Sequence, residues 1–492
     1  MRSSITVRPD SAYGVVRPEL YGHFAEHLGR CIYEGIWVGE ESPIPNDGGI
    51  RCDTVNALKR IRPPILRWPG GCFADVYHWE DGIGPRDQRP RRPNHWWEGE
   101  DTNAFGTHEY LETCERLGAE PFICLNVGSG TPREALNWVE YCTYSGDTEY
   151  TRKRARNGHP LPWNVRYWAV GNENWGCGGK FEARDYAREY RRFVSFLKQT
   201  APKGEFVICG FDQQKWNLDV LDELRDDLGY IDHISIHRYV SRGTGSGFTP
   251  EEYWLLMKDV SALEDVILMT SGTVQSFTQY SKRYIGIALD EWGVWHRDAT
   301  VDRGLSQPNT LRDAIFAASA FHMFQRHASI LSMTNIAQTI NVLQCLLATD
   351  GDKLALTPTY YVYDLLQPHK GATAIVTEVD GPSVEVTDAG RRSTLPVLDA
   401  SATASPDGTM TISVINRHPS EAQEGCVKVA GSTSFPNISA RCLGGTSPGA
   451  ENKPGATESV APAEVSAAPV RNGQFVHTFP PCSLTVFRLS HT

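Results

Sequence analysis

Eight short apolar runs, each followed by a stretch with helix-like spacing, recur over about 355 residues of this 492-residue chain. They fall around residues 21–26, 65–68, 121–126, 167–171, 206–210, 233–237, 284–290 and 329–334. Short apolar runs alternating with helical stretches predict parallel strands joined by crossover helices. Eight such units fit a (β/α)8 barrel with inserted loops. An open doubly wound sheet is the alternative, but no Gly-x-Gly-x-x-Gly turn follows the first run. Gly243, Gly245 and Gly247 come instead after the sixth run, where a mobile lid loop is expected rather than a phosphate cradle.

Tryptophan divides the chain, since all 13 lie between Trp37 and Trp295. From about residue 371 onward Thr, Ser, Val, Ala, Gly and Pro dominate, with period-two alternation at residues 409–416 and 483–489. Alternation bounded by turn residues signals antiparallel strands with one buried face, and a β-sandwich is expected. Within it, residues 443–473 are rich in Gly, Pro, Ala and Ser and predict a long loop. The run at residues 5–9 precedes the barrel and has no barrel partner. It is expected to pair into the C-terminal domain, where it would cover a strand edge. The predicted organisation is therefore an α/β chain: an N-terminal strand (1–17) joining the sandwich, a (β/α)8 TIM barrel (18–370) and a C-terminal β-sandwich (371–492).

No apolar run approaches the roughly 20 residues that span a bilayer, so no membrane partner is expected. A net charge of −11 spread along the chain argues against nucleic acid, which calls for a basic face. The one basic cluster, residues 86–92, reads as a solvated loop. The N-terminus lacks the apolar stretch of a secretory signal, and a cytoplasmic location is expected. Twelve cysteines are scattered without short regular spacing, several in buried-looking runs. Reduced core thiols are expected rather than a disulfide framework. Neither Cys-x-x-Cys nor His-Glu-x-x-His occurs, so no metal site and no cofactor are expected.

Two glutamates stand out. Glu173 follows the fourth run in Tyr167-Trp-Ala-Val-Gly-Asn-Glu-Asn-Trp175, and Glu291 follows the seventh in Tyr284-Ile-Gly-Ile-Ala-Leu-Asp-Glu-Trp292. Each is expected to end its strand at the loop face of the barrel, beside tryptophan. Breaking a glycosidic bond with two carboxyls needs one to protonate the leaving oxygen and one, ionised, to attack or to activate water. An isolated strand-end glutamate would more simply pair with an arginine; two at equivalent barrel positions point to glycoside cleavage. Charge logic allows either glutamate to be the acid, because each ionised carboxylate disfavours a second charge nearby.

Trp168-Ala-Val-Gly-Asn-Glu-Asn-Trp-Gly-Cys-Gly-Gly179 resembles the acid/base signature of glycoside hydrolase family 51, the α-L-arabinofuranosidases. Further blocks resemble that family in order over about residues 15–365. They are Tyr21-Gly-His-Phe-Ala-Glu-His-Leu28, Leu66-Arg-Trp-Pro-Gly-Gly-Cys-Phe73, Trp79-Glu-Asp-Gly82, Thr102-Asn-Ala-Phe-Gly-Thr107, Ile234-Ser-Ile-His-Arg-Tyr239 and Leu356-Thr-Pro-Thr-Tyr360. The resemblance implies a retaining, exo-acting enzyme with Glu173 as acid/base and Glu291 as nucleophile, taking arabinofuranosyl oligosaccharides. It assigns sugar contacts to Glu26, Asn172 and Tyr239, with His237 either in the same shell or a core histidine. Cys72 stands where many relatives carry Asn, and a thiol is a weaker hydrogen-bond partner than an amide. Trp97 and Trp295 match aromatic residues on the leaving-group side, whereas Trp96 and Trp292 serve packing equally well. Relatives often assemble as hexamers, and by that analogy the resemblance implies a homo-oligomer. A β-xylosidase or endoglucanase on the same barrel, or a non-catalytic sugar-binding protein, are the alternative readings.

Overall fold

The computed structural model describes residues 3–281, 283–431 and 435–490. Eight parallel strands close into a barrel in sequence order: Gly22–Phe24, Ile65–Trp68, Glu120–Leu125, Tyr167–Val170, Glu205–Cys209, His233–Val240, Gly286–Val294 and Leu331–Ile336. Alternate side chains point inward, and Ile65, Phe122, Cys124, Tyr167, Ala169, Val207, Ala288 and Met333 form an apolar plug inside the barrel. The helices outside are held by apolar stripes. In Ala183–Thr200, for example, Tyr186, Ala187, Tyr190, Phe193, Val194 and Leu197 recur at helical spacing and are all buried.

One expectation about the seventh strand needs correction. Glu291 does not end it, because the strand continues to Val294. After an irregularity between Ser235 and His237, the sixth and seventh strands resume pairing as His237 with Glu291, Tyr239 with Gly293 and Val240 with Val294. Glu291 is thus held inside a paired ladder instead of at a loose strand end. Glu173 does lie beyond its strand, three residues past Val170.

The C-terminal domain is a nine-stranded sheet in the order Ala463–Glu464, Asn437–Leu443, Ser483–Ser490, Met410–Asn416, Leu398–Ala404, Thr373–Asp380, Ser3–Val15, Gln423–Val429 and Gln474–Phe479. Phe475 in the last of these packs against Phe487 in the third, with ring centroids 5.0 Å apart. The sheet therefore folds back on itself into two layers, around Ile5, Val7, Ile375, Leu398, Ile412, Val427 and Phe487. The N-terminal strand is central to it. It runs antiparallel to Thr373–Asp380 and parallel to Gln423–Val429.

Barrel and sheet meet across helix Leu311–Arg326, in which every residue but the last is buried. A helix apolar all round must be covered on all sides. The polar groups it carries are paired: His322 bonds Ser413 at 2.8 Å and Gln325 bonds the Tyr21 hydroxyl at 3.1 Å. The long 443–473 segment, which contains the two-residue strand Ala463–Glu464, serves the start of this helix. Carbonyls of Ala450 and Pro448 accept the amides of Leu311 and Arg312, each at 2.8 Å, groups a helix cannot satisfy internally.

Replacing Ile5 by Ala removes fully buried apolar volume from the two-layered sheet. It is expected to cost about 2–5 kcal/mol in denaturant or thermal unfolding, while kcat per folded molecule stays at the wild-type level.

Candidate active site

The second barrel strand supplies the organising charge. Ile65 and Arg67 alternate with Leu66 and Trp68, so Arg67 shares the inward face with Ile65 and reaches the barrel mouth with its side chain 1% exposed. Its Nη1 donates to Glu291 Oε1 and its Nη2 to Asn172 Oδ1, both at 2.7 Å, and its Nε lies 3.3 Å from Asp290 Oδ2. Burial works against this cation, but Asp290 and Glu291 hold its pKa above the ordinary guanidinium range. Asp290 is held below the usual carboxylate range in turn: burial opposes its charge, and Arg67 and His237 outweigh burial.

The other oxygen of Glu291 accepts the Tyr239 hydroxyl at 2.7 Å. Burial, with the charge of Glu291 beside it, raises the Tyr239 phenol well above its ordinary range. His237 stands between the two glutamates. Its Nδ1 is 2.8 Å from Glu173 Oε1 and 3.5 Å from Glu291 Oε2, and its Nε2 is 3.3 Å from Asp290 Oδ1. Burial pulls the imidazole pKa down, but Glu291, Asp290 and Glu173 together raise it to about 10. One carboxylate oxygen of Glu173 lies within 4.8 Å of one of Glu291.

Glu173 adopts a left-handed backbone with φ of 42°, a sparsely populated region for a residue with a Cβ. The surrounding turn holds it there. The amides of Gly176 and Gly178 donate to its carbonyl at 2.7 and 3.1 Å. A Cβ on Gly178 would come within 2.0 Å of the Asn172 carbonyl oxygen, so glycine is required. Beneath lies Asp75, whose buried carboxylate accepts the amides of Val127, Gly128 and Asn172 at 2.7 to 2.8 Å. Burial nonetheless pushes its pKa up to about 7.

Glu26 closes the other side. Oε1 accepts the Phe73 amide at 3.0 Å and the Trp97 indole at 2.8 Å, and Oε2 accepts the Gln338 amide at 3.1 Å. Burial, and then the charge of Glu291, raise its pKa to about 7. A Cβ on Gly71 would lie 2.7 Å from Oε2, so the Gly70-Gly71 turn can lie against the carboxylate only without side chains. Trp97 is steadied by Asn94, which accepts its amide at 3.1 Å. Trp295 donates to the Ala299 carbonyl at 3.0 Å and meets Tyr239 edge-on. Trp292 is fully buried against Phe321 and Phe324, a packing residue, whereas Trp96 is exposed.

Two expectations are overturned. Cys72 is not a free thiol: it forms a disulfide with Cys177, the Cα atoms 5.5 Å apart, and so offers no S–H to a sugar. The bond ties the loop after the second strand to the turn that carries Glu173. The other ten cysteines are free, eight of them buried. The 86–92 run is mostly exposed, as expected, although the Arg89 side chain turns inward, bonded to Glu109 and to the Gly84, Asn103 and Ala104 carbonyls. The loop after the sixth strand is pinned rather than free to act as a lid. Arg242 pairs with Asp259 and Asp388 at 2.6 and 2.7 Å, and Arg312 holds the Thr244 carbonyl and stacks 3.8 Å over Phe248.

Sequence reasoning missed Arg67, Asp75 and Gln338. Arg67 was signalled by a charge at an inward position of an apolar strand, which demands an acidic partner. Asp75 and Gln338 carried no such mark. Two groups of side chains have ligand-like spacing among the described residues. In Cys72, Glu173 and Cys177 the sulfurs are joined to each other. In Glu173, His237 and Glu291 the imidazole Nδ1 is already engaged with Glu173 Oε1 at 2.8 Å.

Close carboxylates at the mouth of a barrel, walled by indoles, define the equipment of a barrel glycoside hydrolase. Comparison with known proteins agrees. The family model for the α-L-arabinofuranosidase 1 domain matches residues 57–249, and that for the α-L-arabinofuranosidase C-terminal domain matches residues 290–483. An intracellular exo-α-L-arabinofuranosidase of Bacteroides ovatus is 41% identical over 86% of this chain and 83% of its own length. α-L-Arabinofuranosidase C of Emericella nidulans is 34% identical over 98% of this chain and 97% of its own. Among solved structures, a GH51 arabinofuranosidase from Xanthomonas axonopodis pv. citri superposes with a TM-score of 0.93 at 35% identity, covering 99% of this chain and 100% of that one. The chain belongs to glycoside hydrolase family 51, the α-L-arabinofuranosidases.

Replacing Arg67 by Met leaves Asp290 and Glu291 buried without their cation. It is expected to destabilise the fold by about 3–5 kcal/mol and to lower kcat/KM by about 10²-fold or more through misplacement of Glu291, read by denaturant unfolding and steady-state kinetics. Alkylation in denaturant, followed by intact-mass measurement, is expected to modify ten cysteines without reductant and all 12 after reduction. Twelve in both cases would rule the Cys72–Cys177 bond out.

Proposed function

We propose that this chain removes terminal, non-reducing α-L-arabinofuranosyl residues from arabinoxylan, arabinan or oligosaccharides derived from them, by retaining double displacement. The observation that carries this reading is the closeness of Glu173 and Glu291, with oxygens within 4.8 Å. A gap that short leaves no room for the water that an inverting pair must hold. In the first step Glu291 attacks the anomeric carbon while Glu173 protonates the departing oxygen. In the second, Glu173 takes a proton from water as water displaces Glu291. Arg67 and Tyr239, each bonded to a different oxygen of Glu291, orient the nucleophile. Glu26, Asn172 and Gln338 surround the place for the sugar hydroxyls, and Trp97 and Trp295 flank the leaving group. The name of the Bacteroides ovatus relative supports action in the cytoplasm. The family resemblance supports a homo-hexamer, which sedimentation velocity measures.

Glu291→Ala is expected to abolish turnover, with azide restoring cleavage and giving the inverted glycosyl azide. Glu173→Ala is expected to keep the first step on an aryl arabinofuranoside with a good leaving group, which needs little protonation, so that a glycosyl-enzyme builds up in intact-mass spectra. Build-up in Glu291→Ala rather than in Glu173→Ala would reverse the roles.

A further inference from the structure

His237 has a position that sugar binding does not explain. Its Nε2 faces Asp290 Oδ1 and Ser235 Oγ, each at 3.3 Å, and the Ser235 hydroxyl hydrogen is already directed to Asp290. Both neighbours therefore present lone pairs to Nε2, which must carry a hydrogen in either charge state of the ring. Nδ1 is then free to gain or lose a proton, and it points at Glu173 Oε1 across 2.8 Å. That gap needs one hydrogen, which can be bonded to nitrogen or to oxygen. The two forms carry the same total charge and differ by a short proton displacement without heavy-atom movement.

Resting on Glu173 as the acid/base, we propose that the catalytic proton is held jointly by Glu173 and His237. The histidine is a positioning residue that stores the proton on Nδ1 and passes it to Glu173 Oε1 for delivery. When the bond between the anomeric carbon and the leaving oxygen breaks and the bond to Glu291 forms, the leaving oxygen takes the proton from Glu173. That proton is the one stored on Nδ1, which moves to Glu173 before or as it is delivered. The pair is left one proton short, as a carboxylate facing an imidazole lone pair. Their mutual repulsion makes the pair a stronger base for the second step. There the proton of the attacking water returns through Glu173 to Nδ1, the water oxygen bonds to the anomeric carbon, and Glu291 leaves.

The charges around the ring support storage of a proton. Glu173 reaches it from beyond the fourth strand and Asp290 and Glu291 from the seventh, with Arg67 of the second strand behind the last two. Glu26 and the Tyr239 phenol, which act on Glu291, and the Cys209 thiol, which acts on Glu173, all have their pKa raised by burial, so none adds a cation. Three carboxylates against one guanidinium favour an added positive charge, in line with the raised pKa of His237.

The test is the pH dependence of kcat/KM for an arabino-oligosaccharide, whose poor leaving group needs the proton, in wild type and in His237→Gln. In wild type the basic limb reports the pair and is expected well above the usual carboxyl range of about 4. In His237→Gln the proton rests on a carboxyl alone, and the limb is expected to move acidward by about one pH unit or more. Activity at about pH 8 would then fall at least tenfold further than activity at about pH 5. An equal loss at all pH values, with the limb unmoved, would leave His237 a merely structural role and overturn the proposal. Should the variant not fold, a wild-type basic limb below about pH 5.5 overturns it as well. Failure of Glu173→Ala to accumulate the glycosyl-enzyme would instead strike at the acid/base assignment itself.

Discussion

The buried guanidinium of Arg67 is the interaction on which the site depends. Glu173, Asp290, Glu291 and Glu26 converge at the barrel mouth, and four carboxyls in a poorly solvated space repel one another strongly. Arg67 touches two of them and Asn172, the residue just before Glu173, so a single side chain from the second strand fixes groups delivered by the fourth and the seventh. His237 supplies the counter-charge that Arg67 cannot reach. Such a network is stable only when complete, because losing one member leaves the others buried and unpaired.

Backbone support of a different kind lies around Glu173. The Asp75 carboxylate gathers amides from the loops after the third and fourth strands, and the Cys72–Cys177 bond adds the loop after the second. Neither contact involves a side chain that would need to meet a sugar. Their work is to hold a left-handed glutamate in a conformation that the peptide on its own rarely visits. The strain sits at Glu173, and much of its restraint comes from Asp75 and Cys72, far earlier in the chain.

The barrel, the two-layered sheet and both glutamates were legible because each leaves a repeated or paired mark: eight apolar runs, alternation after residue 371, and two carboxyls among tryptophans. The disulfide was not, since Cys72 and Cys177 lie 105 residues apart on different loops and only closure of the barrel brings them together. The continuation of the seventh strand past Glu291 depends on an irregularity in its neighbour, between Ser235 and His237, which no pattern within the seventh run encodes. Asp75 looks in sequence like any acidic residue in a short helical turn. Its role exists only in three dimensions, through amides that belong to other loops.

The N-terminal strand has a consequence for synthesis. Arg8 pairs with Glu378, 370 positions later, so the strand cannot be covered until the intervening residues have been made. At roughly 5–20 residues per second this amounts to about 20–70 seconds during which an apolar strand lacks its neighbours. Arg8, Pro9 and Asp10 interrupt it where its pairing shifts register, between Arg8 and Ala12. A charge and a proline at that point discourage wrong partners while the strand waits. How long the strand waits thus depends on the pace of translation, whatever the stability of the finished fold.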